Sequence, residues 1–299
     1  MARSDSIPSR EVTAQRLLRA SVQHSYDPAV DIDWQAPLLP DALFLPAPQL
    51  SLYRTELWQG MSHGQRVELS RCELANSLSF GMWVESSFIQ MLIRHSFSFD
   101  PASAHLRYAL TEIADECRHS TMFSQVVAKL ERGPYPPNRF DHLLTTLLRG
   151  YSTKPLAWVA VLFVEEIFDM FQREGLKDDS VQPLSRQVFR IHVIEEARHM
   201  RFAREELVRV VPRLSRAERE ALAISVGLGL GLIARALRNP RMYAQAGLDP
   251  REAVRQAVRN EHVLASRRDS VRRLSPFYEE LGLLTPTSRR LWRRSGFAA

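Results

Sequence analysis

The chain has 299 residues, 45% of them hydrophobic, enough to bury a sizeable core in one large domain or two small ones. Its net charge is only +6, which excludes the strong field of a nucleic-acid binder, and the 40 basic residues are arginines apart from Lys129, Lys154 and Lys177, a bias that fits a GC-rich bacterial genome. Cys72 and Cys117 fall in no zinc or redox spacing, so no disulfide framework is expected and a reducing cytoplasm fits the chain.

The opening stretch MARSDSIPSREVTAQ lacks the apolar run of a signal peptide. Helical periodicity dominates from there on. A short helix is expected over 11–24, followed by SYDPAVDIDWQAPLLPDALFLPAP, whose prolines and acids rule out a long helix and predict an ordered strap. Residues 1–48 thus form an N-terminal helix and strap. A short helix over 50–59 and a long one over 63–95 come next. Asp100-Pro101 makes an N-cap and first turn, so a helix over 100–132 follows, and GPYPPN ends it. The pattern then predicts a helix over 141–173, kinked at Lys154-Pro155, a loop at GLKDDSVQP, and helices over 183–210, 216–238 and 250–273. The stretch 221–237 is the most apolar, but it is short and broken by glycines, so it reads as a core helix and no membrane partner is expected. Residues 276–299 read as a basic C-terminal tail, and the arginine runs at 267–273 and 289–294 as solvated faces. The result is an all-α chain, with a four-helix bundle and additional helices over 49–275.

Two segments repeat one pattern 80 residues apart, Asp115-Glu116-Cys117-Arg118-His119 and Glu195-Glu196-Ala197-Arg198-His199. Positions i and i+3 share a helix face, so each Glu and His can hold one metal while the carboxylate bridges to a second. Such a bundle needs one further Glu from each of two other helices. Glu85 stands amid Leu78, Met82, Phe88 and Leu92, where an acid is costly unless it is paired or binds metal. Glu73, near Gln65, Asn76 and Ser77, reads as solvated. Glu165 shares its face with Trp158, Val161 and Phe168, whereas Glu166 shares one with Asp169 and Arg173, so Glu165 is preferred over Glu166. His192 lies one turn before Glu196 and points toward the metal held by His199. Glu112 holds the corresponding place in the first repeat. Asp115 and Glu195 are expected to accept from His199 and His119 across the bundle, with Arg118 and Arg198 neutralising them, or else to form surface ion pairs.

The set Glu85, Glu116-x-x-His119, Glu165 and His192-x-x-x-Glu196-x-x-His199 resembles the p-aminobenzoate N-oxygenase family, the di-iron arylamine oxygenases of antibiotic pathways such as aureothin. The extra histidine before the last Glu separates that family from most ferritin-like relatives, and the likeness runs over 25–273. The resemblance implies a ferritin-like bundle with two iron ions, O2 as co-substrate, oxidation of an aryl amine through the hydroxylamine toward the nitro group, and a homodimer. With no flavin or nicotinamide fingerprint in the chain, electrons would come from a separate reductase or ferredoxin. Rival readings on the same scaffold are a hydroxylase, a desaturase, a ribonucleotide reductase subunit and an iron-storage or peroxide-handling protein. A reductase subunit would need a radical tyrosine beside a ligand, and Tyr108 reads as lying on another face. A storage bundle would need only about half this length.

Overall fold

The computed structural model describes residues 8–136, 138, 139, 141–143, 146 and 154–298. Among them α1 (Arg10–Gln23) and the short α2 (Pro28–Asp31) and α3 (Glu56–Gly60) precede four long helices: α4 (His63–Ser96), α5 (Ala104–Leu130), α6 (Lys154–Lys177) and α7 (Pro183–Val210). Then come α8 (Arg216–Ala236), α9 (Pro240–Gln245), α10 (Pro250–Arg259), α11 (Glu261–Ser270), α12 (Leu274–Glu280) and α13 (Pro286–Arg294). No strand occurs among the described residues; Leu43 and Val181 form an isolated parallel bridge.

Local chemistry sets most helix starts. Ser62 and Gln65 form a capping box at α4, as Ser215 and Glu218 do at α8, each pair satisfying two donors that a helix start leaves open. Pro250 and Pro286 sit at first-turn positions behind the caps Asp249 and Thr285, where a missing N–H costs nothing. Two expected boundaries move. Asp100 closes a preceding turn by accepting from Ala102 N, and Ser103 caps α5 instead. The single helix expected over 250–273 breaks at Asn260, whose side chain caps α11 and also donates to Ser51 O and Tyr53 O. The helix expected over 50–59 shrinks to α3, because Thr55 caps it and Pro46 and Pro48 hold a 3-10 turn at Ala47–Gln49. Of the helix read over 141–173, residues 144, 145 and 147–153 lie outside the described residues.

α4 packs along α5 and α6 along α7, and the pairs meet through α4–α6 and α5–α7, which makes the four-helix bundle. α1 lies across α5 and α7. The strap is ordered by side chains that answer its backbone groups: Ser70 Oγ accepts from Phe44 N, and Gln182 bonds both Leu39 N and Leu39 O. α8 is long and apolar enough to cross a membrane, yet Leu222, Val226, Leu230 and Ile233 belong to the bundle core. The C-terminal stretch is folded onto it. At Gly227 of α8 an added Cβ would stand 2.6 Å from Leu291 Cβ, so only glycine lets α13 approach this closely. Trp292 and Phe297 are buried in the same contact, and arginines on the other face hid this apolar anchor from a reading by charge.

Candidate metal centre

Eight ionisable side chains from the four long helices converge in the bundle: Glu85 (α4), Glu112, Glu116 and His119 (α5), Glu165 (α6), and His192, Glu196 and His199 (α7). None is more than 2% exposed. Overlapping sets of three bring their donor atoms within 4.8 Å of one another: Glu85 with His119 and His192, Glu112 with Glu116 and His199, Glu116 with His119 and Glu196, and Glu165 with His192 and Glu196.

The centre of the cluster is nearly symmetric. Glu116 sets Oε2 at 3.2 Å from His119 Nδ1 and Oε1 at 3.2 Å from His199 Nδ1. Glu196 does the same with Oε1 and Oε2, each at 3.1 Å from His119 Nδ1 and His199 Nδ1 respectively. Each of these carboxylates therefore reaches both imidazoles. The far nitrogens are held from the opposite helix: His119 Nε2 lies 2.9 Å from Glu195 Oε2, and His199 Nε2 lies 3.2 Å from Asp115 Oδ2. An acid on Nε2 fixes the tautomer and turns the Nδ1 lone pair inward. Arg118 and Arg198 both contact Asp115, and both lie within 3.8 Å of Glu195 Oε1. Against the cost of burial, His199 and the two arginines hold the Asp115 carboxyl below its ordinary value. The strap closes the arrangement, with Tyr26 N donating to Glu195 and Arg198 Nη1 donating to His24 O.

His192 sits differently from the expectation. Its Nε2 lies 3.5 Å from Glu85 Oε1, and its ring centre is 4.6 Å from that of His119, so it stands on the His119 side. The reason is direction. α5 and α7 run antiparallel, so a residue preceding Glu196 meets the residue following Glu116. By the same geometry Glu112 stands beside Glu116 and His199. Gln172 Oε1, 2.8 Å from His192 Nδ1, accepts a hydrogen bond from it, and burial lowers the His192 pKa to about 4. His192 is thus neutral at physiological pH, with Nε2 free to bind.

The structure places four further residues that the sequence reading weighed. Glu165 is buried in the cluster, whereas Glu166 turns away to pair with Arg204 of α7. Glu73 is buried, not solvated, with both oxygens bonded by Ser51. Arg267, read as solvated, is 7% exposed. Tyr108 is also buried, and burial pushes its hydroxyl well above the ordinary tyrosine range. Gln172 shares the face of Glu165 two turns on in the sequence, but no local pattern pairs it with His192. The strap contacts and Arg267 carry no sequence signal.

Beside Glu85, Glu165 and His192 opens a cavity of about 130 Å³, walled chiefly by apolar side chains such as Leu78, Val84, Phe123, Val164 and Phe168. Such a volume is close to that of buried apolar cavities known to admit benzene, about 150 Å³.

Comparison with known proteins places this arrangement in a family. An uncharacterised protein of Mycobacterium tuberculosis, Rv0885, is 30% identical over 290 residues, covering 93% of this chain and 84% of that protein. An uncharacterised protein of Mycobacterium bovis, Mb0909, matches to the same extent. The family model for p-aminobenzoate N-oxygenase AurF matches residues 7–282, the span that carries the bundle and every member of the buried cluster. The chain belongs to the p-aminobenzoate N-oxygenase family.

Proposed function

We propose that the protein is a non-haem di-iron oxygenase that oxidises an amine, with Glu85, Glu116, His119, Glu165, His192, Glu196 and His199 holding the two irons. The observation that carries this reading is the central pair of carboxylates, each with one oxygen against each imidazole Nδ1. The donor set also fits a pair of cations on its own terms. Of the proposed ligands, Glu85 keeps Oε2 buried without a hydrogen-bond partner. Burial and the neighbouring acids push Glu85, Glu112 and Glu165 well above the ordinary carboxylate range. Metal cations would satisfy that oxygen and favour the ionised form of the acids around them.

Iron bound there supplies the redox chemistry that O2 activation requires. The chain's own residues do the rest. Glu195 and Asp115 hold His119 and His199 with Nδ1 inward, and Gln172 does the equivalent for His192 through its other nitrogen. The apolar walls keep water from the cavity and orient the substrate. The cavity is what favours an oxygenase over a storage protein, which needs no organic pocket. Electrons come from a separate reductase or ferredoxin, and the protein works as a homodimer.

Aerobically purified protein should carry about two irons per chain. Glu116→Ala or Glu196→Ala should lose most of both, as each serves two sites. Glu165→Ala should abolish amine-dependent O2 uptake, while Glu166→Ala retains it. Full iron occupancy in the Glu116 or Glu196 variant, or the reverse order of the Glu165 and Glu166 variants, would defeat the assignment.

A further inference from the structure

Glu112 is the member of the buried cluster that stands outside the proposed ligand set. It is fully enclosed, and neither of its carboxyl oxygens has a hydrogen-bond partner among the described residues. The arginines of the cluster are engaged elsewhere: Arg118 and Arg198 contact Asp115 and approach Glu195. Protonation does not resolve this, because a neutral carboxyl still carries a donor and acceptors that need partners. A side chain left in that state is costly unless something other than the chain itself binds it.

Its position points to what that is. Glu112, Glu116 and His119 follow one another along one face of α5, and His192, Glu196 and His199 repeat the same spacing on α7. His192, the first of the second series, turns its free nitrogen to the His119 side, where Glu85 also stands. Because the two helices run antiparallel, Glu112 takes the equivalent place beside His199. Glu85 and Glu165 each group with His192. Among the described residues it is therefore Glu112 that joins His199 as an acid besides the two central carboxylates. Donors bonded to one metal at ~2.1 Å lie ~3 Å apart when adjacent and ~4 Å apart when opposite. Donor atoms of Glu112, Glu116 and His199 already lie within 4.8 Å of one another.

We propose that Glu112 is a further metal ligand, one of its carboxylate oxygens completing the position formed by His199 and the two central carboxylates. This role rests on the reading of the buried cluster as a metal centre. The two metal positions then differ in kind. One takes the imidazoles of His119 and His192; the other takes one imidazole and an added anionic oxygen, which makes it the harder of the two.

A graded chelator challenge of the purified holoprotein under nitrogen, read as ferrous iron retained per chain, tests this without turnover. Glu112→Gln keeps the size and drops the charge. It should release one iron per chain at a chelator concentration about tenfold or more below that which wild type withstands, and hold the other as wild type does. A double-mutant cycle locates the loss. Added to His199→Ala, Glu112→Gln should weaken retention little further, because that position is already broken; added to His192→Ala, it should cost the full factor. Glu112→Asp keeps the charge but shortens the reach by one methylene, and should show an intermediate loss. Removing an acid without partners should leave the chelated Glu112→Gln protein melting no lower than chelated wild type, which separates lost iron from lost fold. Two irons held as tightly in Glu112→Gln as in wild type, or an undiminished effect on the His199→Ala background, overturns the assignment. So does a Glu112→Asp protein that matches wild type, since the charge would then act from a distance. Wild-type protein that retains no iron before chelator is added sinks the reading of the cluster along with it.

Discussion

Gln172 and Glu73 show how hydrogen bonds and desolvation together set the state of a buried ionisable group. Gln172 accepts from one nitrogen of His192 and so decides which lone pair faces the cluster. Glu73 makes the opposite case: Ser51 N and Oγ bond its carboxylate, but desolvation outweighs them and raises its pKa from 4.5 to about 7. A carboxyl with a raised pKa in the folded state binds more protons there than in the unfolded chain. Its contribution to stability is therefore greatest below pH ~4.5 and falls as pH rises toward ~7, by up to ~3 kcal/mol in all. Glu73→Gln removes this proton linkage. Denaturant titrations should show the variant gaining on wild type between pH 5 and pH 8 by an amount of that order. Parallel stability–pH curves for the two proteins would show that Glu73 ionises as freely in the fold as outside it.

Among the elements, the break between α10 and α11 has the plainest cause. Asn260 accepts from His262 N to start α11 and donates to Ser51 O and Tyr53 O, tying the turn to the chain before α3. Helical periodicity runs straight through this point, so a pattern reading joins the two helices. Asn260→Ala removes the cap and leaves buried carbonyls with less than their share of donors. The expected cost is about 2–4 kcal/mol, read as a lower denaturation midpoint with an unchanged slope. A variant as stable as wild type would mean that water or a neighbouring group takes over those bonds. The antiparallel course of α5 and α7 acts at the same scale. It carries each histidine's supporting acid across from the other helix, so the repeat in the sequence becomes a near two-fold arrangement in space.

For the whole molecule, the buried acids matter most. Five carboxyl groups and three imidazoles share the interior of the bundle. Without cations the acids repel one another and several must stay protonated to remain buried, so the proposed irons are part of folding as well as of chemistry. Chelation of iron from the purified protein should lower Tm by roughly 5–10 °C, and re-addition of ferrous iron under nitrogen should restore it. A Tm indifferent to chelation that does strip the metal would separate stability from the centre. Scanning calorimetry with parallel iron analysis reads both quantities on one sample.

The repeated Glu-x-x-His pattern was legible in the sequence because a helix fixes which residues share a face. That local rule also picked Glu85 and Glu165 out of apolar faces, and the all-α architecture followed from the same periodicity. What the tertiary structure decided depends on direction and on distant neighbours. The side on which His192 and Glu112 stand follows from α5 and α7 running antiparallel, which no local pattern reports. The state of Glu73 depends on its burial, against which Ser51, 22 residues away in the chain, bonds its carboxylate, and the burial of Arg267 depends on packing with Phe297 and Ser295. Charge in a sequence is read against water. Once the chain folds, desolvation and the partners brought by other helices determine whether that charge remains a solvated face, becomes a neutral group, or waits for a counter-ion.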